Sequence, residues 1–176
     1  MGLLIFLFLL TCGQSEQHII KVSSMRPADI ITIGRPIRQG TWPVKPSLRI
    51  CDDTKVSMLR AQRALRFWES LGYDFDGIFT DSSPSCMNPR YGEIIVTLPE
   101  GGFADWHMAS TRTYTTIGTD DIVKAKIHIL PIYARKERVL EHEIGHALGW
   151  KHYNKKFHIM NSIWQNGGYG HFGLRE

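Results

Sequence analysis

The chain has 176 residues, 43% of them hydrophobic and 22% charged, with a formal net charge of +4. That length holds one domain with its own core, and the composition is that of an ordinary soluble globular protein. The basic residues are scattered, with Arg60, Arg63 and Arg66 on one helix-like stretch and Lys151, Lys155 and Lys156 further on. No aromatic-interleaved basic stripe occurs, so nucleic acid is excluded as a partner and a solvated basic surface is expected.

The N-terminus is apolar from Gly2 to Leu10 and turns polar after Cys12. Such a run is too short for a stable bilayer-spanning helix but suits the h-region of an export signal. Leu9-Leu10-Thr11-Cys12 resembles a bacterial lipobox, in which the cysteine is acylated and becomes the mature N-terminus. No Lys or Arg precedes the run, and Thr11 is bulkier than the usual Gly, Ala or Ser. Residues 1–12 are therefore expected to be a signal with lipidation at Cys12. The resemblance implies an exported protein anchored to the cell envelope through that lipid, or otherwise secreted. If Cys12 takes lipid, Cys51 and Cys86 remain as an even pair that an oxidising compartment can join. Such a disulfide contributes about 2–4 kcal/mol; the alternative is two unrelated buried thiols.

Residues 13–46 are polar and broken by Pro27, Gly34, Pro36, Gly40, Pro43 and Pro46, with β-prone pieces HIIKV and DIITIG between. They are expected to form a tether or extended arm rather than a domain. Residues 47–176 are expected to form one folded domain. It opens with a strand over 47–51, in which Leu48 and Ile50 alternate with polar neighbours. Asp52, Asp53 and Thr54 then offer capping oxygens to a helix within 56–72. Met58, Ala61, Leu65, Trp68 and Leu71 share its apolar face, Arg60, Arg63 and Arg66 lie off it, and Gly72 ends it. Strands are predicted within 73–81, 91–99, about 106–117 and 124–131, the last with Ala125, Ile127 and Ile129 on one face. A second helix is predicted from about Tyr133 to Trp150, giving the order β-α-β-β-β-β-α. The glycine-rich NGGYGHFG, 166–173, is expected to be loop.

The second helix carries HEIGHALGWKH, residues 142–152. His142 and His146 are four apart, one turn up the same helix face, close enough to share one metal ion. Glu143 is rotated by about 100° around the axis, where it can reach a water on that metal without ligating it. Gly149 can take the left-handed conformation that ends a helix, and His152 can then swing back as a third ligand. Three histidines leave one position open on a tetrahedral ion, as a catalytic zinc requires.

This HExxHxxGxxH pattern resembles the zinc-binding signature of the metzincin metallopeptidases. Met160 follows His152 by eight residues, the interval at which matrixins place the methionine of their Met-turn. The resemblance implies an α+β zincin fold: a twisted, mostly parallel sheet with an antiparallel edge strand, a backing helix, an active-site helix and a minimal C-terminal subdomain. It implies a monomeric endopeptidase with one zinc ion on His142, His146 and His152, and Glu143 as general base and acid. The substrate would be a protein or peptide bound in extended form along an edge strand near Trp106–Tyr114.

Three features depart from matrixins. The turn is Met160-Asn161-Ser162 rather than Met-Tyr-Pro, only 16 residues follow Met160, and no cysteine switch is present. Some bacterial metzincins cover the zinc with an arm aspartate; Asp29 lies in such an arm, the alternative being an ordinary turn residue. Tyr153 and Tyr169 could donate to an oxyanion, although core or surface tyrosines are commoner. His107, His128, His158 and His171 lack ligand spacing and are expected to be isolated. The competing functions are a catalytically silent metal-binding lipoprotein on the same scaffold, and a zinc hydrolase acting on something other than protein. An intact Glu143 argues against the first, and the matrixin-like spacing against the second.

Overall fold

The computed structural model describes residues 20–24, 34–100 and 108–175. The signal stretch, Cys12, Asp29, Trp106 and His107 lie outside the described residues. The strands are β1 (Ile20–Ser24), β2 (Ser47–Cys51), β3 (Ile78–Asp81), β4 (Glu93–Thr97), β5 (Ala109–Thr116) and β6 (Ile122–Ile129), and the helices are α1 (Met58–Glu69) and α2 (Val139–Ala147). The fold is α+β, with one sheet in the order β1-β5-β6-β4-β2-β3. β3, β2, β4 and β6 run parallel, β5 is antiparallel to β6, and β1 is antiparallel to β5. Among the described residues no helix is long and apolar enough to cross a membrane.

Burial explains the parallel part. All five residues of β4 are buried, as expected of a central strand covered on both faces. Leu48 and Ile50, Ile94 and Val96, and Ala125, Ile127 and Ile129 join the buried residues of both helices in one core. On α1 the buried set is Ala61, Ala64, Leu65 and Trp68, close to the expected face, with Met58 only half-buried. Trp68 also donates its indole N–H to the Glu141 carbonyl at 2.9 Å, tying α1 to α2. Cys51 and Cys86 are joined in a disulfide, with Cα atoms 5.7 Å apart.

Several expectations give way locally. Asp52–Thr54 forms a 3₁₀ turn of its own, and Lys55 turns left-handed after it (φ 62°). The cap of α1 is instead Ser57, whose Oγ accepts the Arg60 N–H at 3.2 Å. Arg60 does not join a solvated basic face; its guanidinium grips the buried Glu141 carboxylate, at 2.8 Å for Nη1 to Oε1. α2 begins at Val139 rather than Tyr133, because Pro131–Tyr133 makes a separate 3₁₀ turn and Arg138 adopts φ 67° just before the helix. Thus the left-handed Arg138 separates the turn from the helix.

The segment preceding β2 is not a free tether. Gln39 N–H donates to Gly149 O at 2.7 Å and Lys151 N–H to Ile37 O at 2.9 Å, while Trp42 donates to Ala147 O at 2.9 Å. Ile20–Val22 of the HIIKV piece begin β1, which lies on the outer side of β5. The predicted edge strand is therefore not an edge along its whole length.

Candidate metal centre

α2 brings the first two histidines together with little local preference to help. Leu, Glu and Ala favour the helix, but Gly145 in its middle costs about 1 kcal/mol relative to alanine. Packing requires that glycine: a Cβ there would collide with Met160 Sδ and the Trp68 ring. Met160 is fully buried, with its side chain against this glycine of α2.

After α2 the chain must turn sharply to return His152 to the helix. Gly149 has φ 96°, and a Cβ at this position would strike the Gly40 carbonyl. Its freedom is needed twice, for the backbone conformation and for the approach of the arm. The arm then pairs with residues 149–151, which fixes the strand-like segment leading into His152.

The three imidazoles converge. Nε2 of His146 lies 3.0 Å from Nε2 of His142 and 3.1 Å from Nε2 of His152. Nδ1 of His142 donates to Ile159 O at 2.7 Å and Nδ1 of His146 to Trp150 O at 2.6 Å. A carbonyl can only accept, so the ring proton sits on Nδ1 and Nε2 presents a lone pair. Burial, with the neighbouring His152, pushes His142 down to about 3, and burial pushes His146 well below the ordinary range, so both rings are neutral. Lone pairs facing each other at this distance repel unless a cation lies between them. Nitrogens sharing a tetrahedral zinc sit about 3.3 Å apart, so the donor set fits that ion. Among the described residues these three form the one group able to hold a metal.

Comparison with protein-family models, with curated proteins and with solved structures returns no match.

Glu143 is 6% exposed and stands beside the histidines. Burial pushes its carboxyl up to about 7, against the pull of the Thr111 hydroxyl, which lies 2.6 Å from Oε2. The same hydroxyl is 3.1 Å from the Glu143 carbonyl oxygen. Thr111 was not singled out in the sequence, where it is one of several threonines in STRTYTT. Only the pairing of β5 with β6 and the seating of α2 bring it to the glutamate.

A cavity of about 430 Å³ opens over this group, lined by Met108, Ala109–Thr111 of β5, Val139, the three histidines, Glu143, and Ile159–Trp164 excluding Met160. The turn that floors it is held by side chains. His158 Nδ1 accepts the Met160 N–H at 3.1 Å, Asn161 donates to Lys155 O at 3.0 Å, and Asn154 accepts from both the backbone and the hydroxyl of Ser162. His158 is thus a buried prop for the turn, and His128 and His171 also stay apart from the cluster. Tyr153 is buried with its hydroxyl 3.5 Å from Gly34 O, and Tyr169 packs on Phe67; neither lines the cavity.

Proposed function

We propose that the chain is a zinc-dependent endopeptidase of the metzincin type, matrixin-like in its spacing, exported and anchored by lipid at Cys12. The observation that carries this reading is the convergence of the three Nε2 atoms beside a buried carboxylate. His142, His146 and His152 would hold one zinc ion, which when bound supplies Lewis acidity toward a peptide carbonyl and acidifies water.

The protein's own residues do the rest. Thr111 pins Oε2 of Glu143, leaving Oε1 to take a proton from the attacking water. As the oxygen bonds to the carbonyl carbon and the C–N bond breaks, Glu143 delivers that proton to the leaving amine nitrogen. The hydrogen bonds from His142 and His146 to backbone carbonyls fix ring orientation and tautomer. The apolar walls at Val139, Ile159 and Ile163 favour a side chain that sheds water on entry.

The deciding experiment measures zinc content and cleavage of a diverse peptide pool by the full chain and by Glu143→Ala. The expected outcome is about one zinc per chain in both, with cleavage lost in the variant. Cleavage retained by Glu143→Ala would sink the mechanism. A zinc-loaded wild type that cuts nothing would leave metal binding alone as the scaffold's function.

A further inference from the structure

From Ile144 to Arg175 the sequence holds Lys151, Lys155, Lys156 and Arg175 and not one Asp or Glu. Over the same span the fold leaves large aromatic rings in solvent, with Phe157 64% exposed and Phe172 58%. These two sit on loops stitched side by side. Phe157 N–H donates to Asn166 O at 2.7 Å, Gly170 N–H to Phe157 O at 2.8 Å, and His158 Nε2 to Phe172 O at 3.1 Å. Two exposed lysines complete the tip, Lys155 Nζ 4.9 Å from the centre of the Phe172 ring and Lys156 Nζ 5.1 Å from that of Phe157. Tyr169 is also exposed, but it leans on Phe67 and lies towards Glu137 and Glu141, so it is left out of the tip.

Phe157 has φ 64°, a left-handed conformation that bulky side chains seldom adopt. Glycine would relieve that strain, and the exposed ring returns little to the core. Folding alone therefore does not account for a phenylalanine here. Apolar rings flanked by ammonium groups suit a membrane interface, where the ring enters the headgroup boundary and the cation meets anionic lipid phosphates. A soluble polyanion would answer the lysines and leave the rings in water. A neutral apolar partner would cover the rings and leave the charge unanswered. We propose that Lys155, Lys156, Phe157 and Phe172 form a docking tip for an anionic lipid bilayer, independent of lipidation at Cys12 and of the endopeptidase reading. Asn154, next to Lys155, lines the cavity over the histidines, so docking holds that cavity close to the lipid surface.

The test uses the full chain with Cys12→Ser, which prevents acylation, and with Leu4→Asp, Leu7→Asp and Leu10→Asp, which break the apolar N-terminal run. An environment-sensitive dye is attached through Phe157→Cys, Phe172→Cys or Phe79→Cys, the last an exposed phenylalanine of β3 that serves as control. Vesicles of phosphatidylglycerol and phosphatidylcholine in equal parts should shift the emission to the blue at 157 and at 172 but not at 79. Vesicles of phosphatidylcholine alone should shift none of them. Changing Lys155 and Lys156 to alanine should raise the lipid concentration at the midpoint about 25-fold, from about fivefold for each lysine near the surface. Absence of the shift at 157 or at 172, a shift at 79 as well, or an unchanged midpoint in the lysine variant overturns the proposal. So does an equal shift with phosphatidylcholine alone, or with soluble polyphosphate, which would make the tip a polyanion site instead.

Discussion

The two edges of the sheet are closed by different chemistry. Next to the β3 edge, the Arg49 side chain is 7% exposed and bonds Asp81 Oδ2 at 2.8 Å, Glu93 Oε2 at 2.7 Å and Asn88 O at 2.8 Å. One guanidinium thereby joins β2, β3 and β4, and the Cys51–Cys86 disulfide fastens the end of β2 nearby. At the other edge β1 joins β5 by a strand ladder, described from Ile20 opposite Thr116 to Ser24 opposite Arg112. A buried charge cannot lose its partners without a large penalty, whereas a ladder bond can be exchanged for an equivalent one. The edge held by a ladder is the one that includes β5, whose Ala109–Thr111 line the cavity over the histidines.

The sharpest way to break this contrast is Arg49→Met, which strands two carboxylates. It should destabilise the protein by about 3–5 kcal/mol in urea unfolding, and a loss below 1 kcal/mol would remove the distinction between the edges. Replacing Cys51 and Cys86 together by alanine should cost about 2–4 kcal/mol in the same assay while leaving zinc content unchanged. On the other side of the sheet, Thr111→Val should lower kcat/KM by about five- to tenfold through a less well-held Glu143, again with zinc retained. If zinc is lost instead, Thr111 supports the ligands rather than the carboxylate.

The smallest effect concerns acid. The Ser83 hydroxyl and N–H, aided by Arg49, hold the Asp81 carboxyl down to about 2 from its ordinary 3.8. The folded form holds its proton less tightly than the unfolded one, so this stabilisation is complete above about pH 4 and is lost as pH falls through 2. Asp81→Asn should flatten that part of the stability curve, measured as melting temperature against pH. An unchanged slope would show that the carboxylate contributes nothing in the acid range.

Which parts could be read from the chain follows from the range of the forces involved. His142 and His146 are one helical turn apart, so a local period is enough to place them together; the same is true of the buried face of α1 and of Ala125, Ile127 and Ile129. Gly149 was legible because only glycine adopts φ 96° without strain. The helix boundaries were less so. Residues 133–138 carry ordinary helix formers, and the left-handed Arg138 that separates them from α2 bonds Trp164 O, 26 residues away. Arg60 looked like surface because its partner, Glu141, is 81 residues distant.

The sequence alone specified a set of residues: three histidines, a glutamate, a glycine and a methionine whose intervals suit one metal ion, with two cysteines to pair. Tertiary structure decided what surrounds them. Long-range strand pairing put Thr111 on Glu143 and β1 along the outer side of β5, and it set the arm against Gly149 so that His152 is held in place. The physical reason is that periodicity along a chain reports which side of an element faces inward. Which element lies across from it depends on backbone hydrogen bonds that every residue offers alike.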